Sequence, residues 1–150
     1  MKKLARHTRV LVTDGARAIV LRNEGDAAHP DLKTVRAYAQ ENLPSHEIGS
    51  HKPFRTNDSQ GHRSAIEDKD WHRVAEDKFV SGIAAAMDHD LKAGDYKTLI
   101  VVAPPIALGE YRKAVSPAVA KATLFELDKD LTKHASADIA KHVVKALEEG

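Results

Sequence analysis

Asp14 is the residue whose type and position most suggest chemistry, because it directly follows a short β-branched run that starts at Val10. A carboxylate at the end of a first strand can bind a metal ion or act as a base. A two-metal nuclease needs several convergent carboxylates, and the other predicted strand ends supply only Glu126 and Asp128. Asp14-Gly15 also favours a type I′ turn, so we expect a turn residue here and a catalytic one only if the protein is a hydrolase.

The remaining standard catalytic and metal-binding patterns are missing from the sequence. There is no cysteine, and none of the nine histidines form a His-x-x-x-His pair that would place two imidazoles on one face of a helix. The phosphate-binding, dinucleotide-binding and serine-nucleophile motifs are also missing. We therefore predict neither a metal site nor a cofactor.

The cations of the chain offer a second kind of chemistry, namely contact with a polyanion. A polar stretch at about 41–69 has no sustained apolar period and is predicted to be a long flexible loop. Such a loop can meet RNA phosphates and become ordered on contact, and its composition is equally compatible with a solvated tether. The candidate binding residues are those of the loop and two cations further along the chain, namely Lys52, Arg55, Gln60, His62, Arg63, Arg112 and Lys113.

Two elements must position Asp14 and the start of the loop. The apolar runs Val10 to Thr13 and Ala18 to Leu21 flank Asp-Gly and predict an antiparallel hairpin. Leu32 to Tyr38 alternates and predicts a third strand with one solvent-exposed face. Apolar residues at helical spacing then predict a helix from Asp70 to Leu91, which ends before Gly94.

Residues 99–103 form a wholly apolar run that ends at Pro104-Pro105, which predicts a strand buried on both faces. Ligands collect at the carboxyl ends of such strands, so we expect a groove there, with the prolines mainly stopping the strand and starting a helix. The later elements are predicted as a helix over Ala107 to Val115, a helical turn to Ala122, a strand over Thr123 to Leu127 and a last helix from Ser136.

Length and charge set the remaining limits. The 150 residues fit one α/β domain with a mixed sheet of about five strands and three or more helices. The net charge of +1 is far from that of a protein that coats nucleic acid, so contact with RNA requires a local patch. The N-terminal apolar run is too short for a signal peptide or a membrane span, and we expect a cytoplasmic protein that does not contact membranes.

Three segments together resemble a bacterial family called "protein required for attachment to host cells". They are VLVTDGARAIVL at Val10 to Leu21, VVAPPIALGEYRK at Val101 to Lys113 and ELDKDLTKHASADIAKHV at Glu126 to Val143. That family is similar in fold to the middle domain of archaeal and eukaryotic peptide-release factors. The resemblance therefore implies a ribonuclease-H-like topology over nearly the whole chain.

Two departures limit what the resemblance implies. Members of the family often have an arginine after the two prolines, whereas this chain has Ile106. The Gly-Gly-Gln of release factors is also missing, since the comparable loop has only Gln60-Gly61. The resemblance therefore does not imply peptide-release activity.

Three functions are compatible with these observations. The first is a non-enzymatic binding or regulatory module of the host-attachment family that engages RNA or the ribosome through its loop. The second is a metal-dependent hydrolase of phosphoesters or nucleic acids that uses Asp14. The third is a homodimeric scaffold that meets a protein partner through an exposed sheet edge.

Overall fold

A computed structural model describes residues 2–40 and 65–149, with side chains described from residue 73 onward in the second range. The described residues form five strands, β1 (Arg9–Thr13), β2 (Arg17–Asn23), β3 (Leu32–Ala39), β4 (Leu99–Val102) and β5 (Thr123–Leu127). They also form four helices, which we number α1 (Ala65–Lys92), α2 (Pro105–Ala114), α3 (Pro117–Ala122) and α4 (Ser136–Glu149).

The five strands form one mixed sheet in the order β3-β2-β1-β4-β5. The pairs β1·β2 and β2·β3 are antiparallel, whereas β1·β4 and β4·β5 are parallel. Helices connect the parallel strands because parallel neighbours need a crossover. This arrangement confirms the predicted α/β fold class and its ribonuclease-H-like topology.

The core has two layers because alternate residues of the central strands face opposite sides of the sheet. Leu11 and Val101 belong to the cluster that α1 and α2 cover. Val12 and Ile100 belong to a second cluster, which α4 covers. All four residues of β4 are buried, which confirms the interior strand predicted at 99–103, although Ala103, also buried, lies just past its end.

The element predictions agree with the structure along most of the described chain, and the longest stretch of disagreement is at α1. This helix begins at Ala65, earlier than the predicted Asp70, so the C-terminal part of the predicted loop at 41–69 is helical. The first residues of the helix are mostly polar and have no apolar period, so the sequence gives no periodic signal for a helix there. The rest of the predicted loop, residues 41–64, lies outside the described residues.

The edge strand β3 also differs from its prediction. Instead of one exposed face, the run from Lys33 to Ala37 is exposed on both faces. Val35 has no partner in the β2 register, since Val20 pairs with Arg36 and Leu21 with Thr34. A bulge of this kind bends an edge strand and disturbs the alternation of its faces.

Among the described helices, none combines the length and the apolar character needed to cross a bilayer.

Candidate functional site

The chain leaves the buried strand β4 at Ala103, whose amide donates to the carbonyl of Leu127 at 3.0 Å. Pro104 has extended backbone and caps α2, and its carbonyl accepts from the amide of Leu108 at 2.8 Å. Pro105 occupies the first turn of the helix, where its missing N–H leaves no bond unmade. The two prolines therefore have the structural role that we predicted.

A cavity of about 550 Å³ opens at this strand exit, and we call it the β4-exit groove. It lies between the 14–17 turn, α1 and the start of α2. Its polar lining is acidic, while Ile106 stands exposed at its edge. The full lining is Asp14, Gly15, Ala16, Glu76, Val80, Pro104, Pro105, Ile106, Ala107 and Glu110.

Asp14 is held by the backbone of its own turn. Its Oδ1 atom accepts from the amides of Ala16 and Arg17, both at 2.7 Å, and its own amide donates to the carbonyl of Arg17 at 3.0 Å. The predicted type I′ turn is wrong, since neither Asp14 nor Gly15 has the positive φ that this turn requires. The hairpin is instead closed by a side-chain turn, which Asp forms readily without a left-handed backbone.

The second oxygen of Asp14 faces the C-terminal half of the chain. Its Oδ2 atom lies 3.3 Å from the hydroxyl of Thr132. That hydroxyl donates over a shorter distance, 2.7 Å, to Asp130, and this bond holds the pKa of Asp130 below its usual value. Thr132 and Asp130 thus bond to each other and stabilise the local turn.

Asp77 of α1 faces Glu110 of α2, which lines the groove, and the two form a carboxyl pair. Their mutual hydrogen bond raises the pKa of Asp77 and lowers the pKa of Glu110. Lys113 donates to Glu110 at 3.1 Å and stabilises its charge. Among the described residues, no group of three or more His, Asp or Glu side chains is arranged to hold a metal ion.

The two predicted cations that the structure describes are both occupied by neighbours. Arg112 donates from Nε and Nη2 to the same oxygen of Glu126, at 2.8 and 2.6 Å. Lys113 is paired with Glu110, three residues before it on α2. Both side chains are exposed, but each is already paired with a carboxylate of the protein.

Gln40 marks the point where the chain enters residues 41–64. Its Nε2 atom donates to the carbonyl of Gly15 at 2.9 Å, and its amide donates to the carbonyl of Ala16 at 3.1 Å. The chain therefore enters this segment directly beside the β4-exit groove. The predicted binding residues of the segment lie outside the described residues, namely Lys52, Arg55, Gln60, His62 and Arg63.

A second depression, which the sequence analysis missed, lies on the other face of the sheet. Cavities of about 930 and 300 Å³ adjoin each other between α4, the segment before β3 and the N-terminal residues. We call this depression the lysine groove because its cationic lining consists of Lys2, Lys3, Lys33, Lys141 and Lys145. One signal was visible in the sequence: Lys141 and Lys145 are four residues apart, so a helix places them on one face.

Comparison with known proteins provides a family and distant structural neighbours. A model of the family described as bacterial archaeo-eukaryotic release factor family 12 matches residues 7–143. The crystal structure of the archaeal translation termination factor aRF1 is 13% identical, with a TM-score of 0.46, and the match covers 95% of this chain and 39% of that one. Dom34 of S. cerevisiae, a translation termination-like factor involved in RNA quality control pathways, is 15% identical, with a TM-score of 0.36 and coverage of 83% and 30%. The chain thus spans less than half the length of either structure, and no curated protein matches it.

Proposed function

Because this chain belongs to bacterial archaeo-eukaryotic release factor family 12, we propose that it is a non-enzymatic module that binds RNA on the ribosome. Release factors act on the ribosome, and a family named after them is expected to share that partner. The proposal keeps the first of the three functions that the sequence left open. The link to host attachment stays a prediction from the resemblance alone.

The observation that carries the proposal is the attachment of Gln40 to the 14–17 turn. The two hydrogen bonds from Gln40 fix the start of the 41–64 segment at the exit edge of the sheet. Over residues 41–64 the sequence has three permanent cations, all from Lys52 onward, and three carboxylates, two of which, Glu41 and Glu47, precede Lys52. The positive charge is therefore local to positions 52–63, and a local group of cations suits contact with phosphates.

The hydrolase alternative has less support from the geometry of the described residues. A metal-binding or basic carboxylate needs its oxygens free toward a substrate. Oδ1 of Asp14 instead accepts two backbone bonds that close the hairpin. Glu126, one of the two other carboxylates considered for this role, is paired with Arg112.

The homodimer alternative stays a prediction. The exposed edge strand β3 is the surface through which a second copy would add a strand. Its exposed Lys33 and Arg36 oppose such pairing, because identical charges would meet across an edge-to-edge contact.

Co-sedimentation with purified bacterial ribosomes tests the proposal. The double variant Arg55→Ala/Arg63→Ala is expected to sediment several-fold less than the wild type at low salt, because two phosphate contacts are lost. The matched control is Lys92→Ala/Lys97→Ala, which removes the same charge at the opposite end of the sheet from the β4 exit. Equal sedimentation of the wild type and the Arg55/Arg63 variant would contradict the proposed role of the segment.

A further inference from the structure

The lysine groove lies on the opposite face of the sheet from the β4-exit groove. Its main wall is α4, whose Ile139 and Val143 pack in the core cluster of Val12 and Ile100. The β4-exit groove instead borders α1 and α2, which pack on the other face. The two grooves are therefore separate surfaces, and a function of one does not explain the other.

The shape of the lysine groove suits an extended ligand. The larger cavity includes residues from Ser136 to Glu148 of α4, a length of about 18 Å along the helix axis. The smaller cavity shares Ala27, Ala28 and Val144 with it and continues the depression to the N-terminal residues. A long open channel of this kind follows a polymer better than it encloses a small molecule.

The charge of the groove is strongly positive for a protein of net charge +1. Its five lysines face only two carboxylates, Asp31 and Glu148. Asp31 lies 3.7 Å from Lys33, and both side chains are more than half exposed, so this pair is weak. Within residues 2–40 and 73–149, no carboxylate pairs with Lys141 or Lys145, and both side chains are exposed.

The apolar lining of the lysine groove distinguishes between the bases and the backbone of a nucleic acid as the part that fits it. Small and aliphatic residues provide the apolar lining, and no aromatic side chain borders either cavity. Without aromatic side chains the groove has no surface on which unpaired bases stack, and single-stranded recognition depends on such stacking. Lys141 and Lys145 instead lie one turn apart on α4, about 6 Å along the helix axis, and two lysines at this spacing suit successive backbone phosphates.

We infer that the lysine groove binds the sugar-phosphate backbone of double-stranded RNA, independently of its sequence. The inference rests on the proposed function and adds to it a second RNA contact, on the face of the sheet opposite the β4-exit groove. Ribosomal RNA is largely duplex, so a module held from two faces would bind the ribosome more tightly than the segment alone. Affinity from such a groove is electrostatic and falls steeply with salt.

The test measures binding of the full chain to a short fluorescent RNA duplex over a range of salt concentrations. Each lysine that meets a phosphate adds about 0.9 to the magnitude of the slope of log K against log salt. The variant Lys141→Gln/Lys145→Gln is expected to reduce the slope by about 1.8 and to bind at least about ten-fold more weakly at low salt. The control Lys121→Gln/Lys129→Gln removes two exposed lysines outside the groove and should keep the wild-type slope.

The possible outcomes separate this inference from the proposed function. An unchanged salt slope in the Lys141/Lys145 variant contradicts RNA binding by the lysine groove. The proposed function still stands in that case if the Arg55/Arg63 variant co-sediments less with ribosomes. Duplex binding that depends on Lys141 and Lys145, together with no ribosome binding by the wild type, supports the groove and overturns the function. Binding to vesicles of anionic phospholipid but not to the RNA duplex overturns the inference in favour of a membrane surface.

Discussion

Arg9 at the start of β1 and Asp90 near the end of α1 form a buried ion pair, with Nη1 and Oδ2 2.7 Å apart. Their side chains are only 6% and 4% exposed. The guanidinium also lies over the ring of Tyr96, 4.7 Å from its centroid. This contact connects the central strand to the long helix and so fixes the far end of α1, whose other end leads to the 41–64 segment.

Removing one partner of this pair should be costly. Asp90→Ala leaves the charge of Arg9 buried without a counter-ion, and we expect a loss of about 3 to 5 kcal/mol in the free energy of unfolding. The double variant Arg9→Met/Asp90→Leu should lose much less, since no buried charge remains. Urea unfolding measures the free energy of unfolding of the wild type and of both variants. An Asp90→Ala variant within about 1 kcal/mol of the wild type would show that the ion pair is solvated.

Two buried tyrosines of one core cluster should respond in opposite ways to loss of the hydroxyl. The Tyr96 hydroxyl donates to the carbonyl of Met87 at 2.8 Å, whereas among the described residues the Tyr111 hydroxyl has no partner. We expect Tyr96→Phe to destabilise the fold by about 1 kcal/mol, and Tyr111→Phe to be neutral or stabilising. Thermal unfolding of the two variants checks this, and equal destabilisation by both would mean that Tyr111 has a partner.

The same tyrosines predict a loss of stability at alkaline pH. Burial raises the pKa of Tyr96 to about 12 and also raises that of Tyr111, because the buried rings resist ionisation. The neutral buried hydroxyls stabilise the fold fully below pH 10, the usual pKa of tyrosine, and this contribution to the free energy of unfolding is lost as pH rises toward 12. For Tyr96 the loss amounts to about 3 kcal/mol, so the unfolding midpoint should fall over this range and fall less in Tyr96→Phe.

Variants of Asp14 separate a turn residue from a catalytic one. Asp14→Asn keeps the oxygen that accepts from Ala16 and Arg17, so stability and ribosome binding should stay near wild type. Asp14→Ala removes that acceptor and is expected to cost about 1 kcal/mol. A phosphoesterase activity of the wild type that Asp14→Asn abolishes would instead support the hydrolase alternative.

The sequence predicted the elements well wherever one physical signal dominated. Residues 99–102 are apolar at every position, and a run this short and wholly apolar is typical of a strand that is buried on both faces of a sheet. The helical turn predicted to reach Ala122 is α3, and the Ser116 hydroxyl before it accepts from the amide of Val119. The last helix begins at Ser136 as predicted, and the carbonyl of Ala135 accepts its first helical bond from the amide of Ile139.

The candidate sites were harder to predict because they depend on contacts between distant segments. Asp-Gly indicated a turn, but its type depended on where the Asp14 side chain points, which the dipeptide alone does not determine. The lysine groove combines Lys2, Lys33 and Lys141, which only the folded chain brings to one face. Conversely, Arg112 looked available in the sequence, and folding pairs it with Glu126 of the neighbouring strand.

The most direct test of ribosome association measures how much wild-type protein co-sediments with purified bacterial ribosomes as salt increases. We predict co-sedimentation at low salt that declines steeply with rising salt and that is weakened separately by the Arg55/Arg63 and the Lys141/Lys145 variants. A wild-type protein that stays in the supernatant at low salt, where phosphate contacts are strongest, would contradict the account.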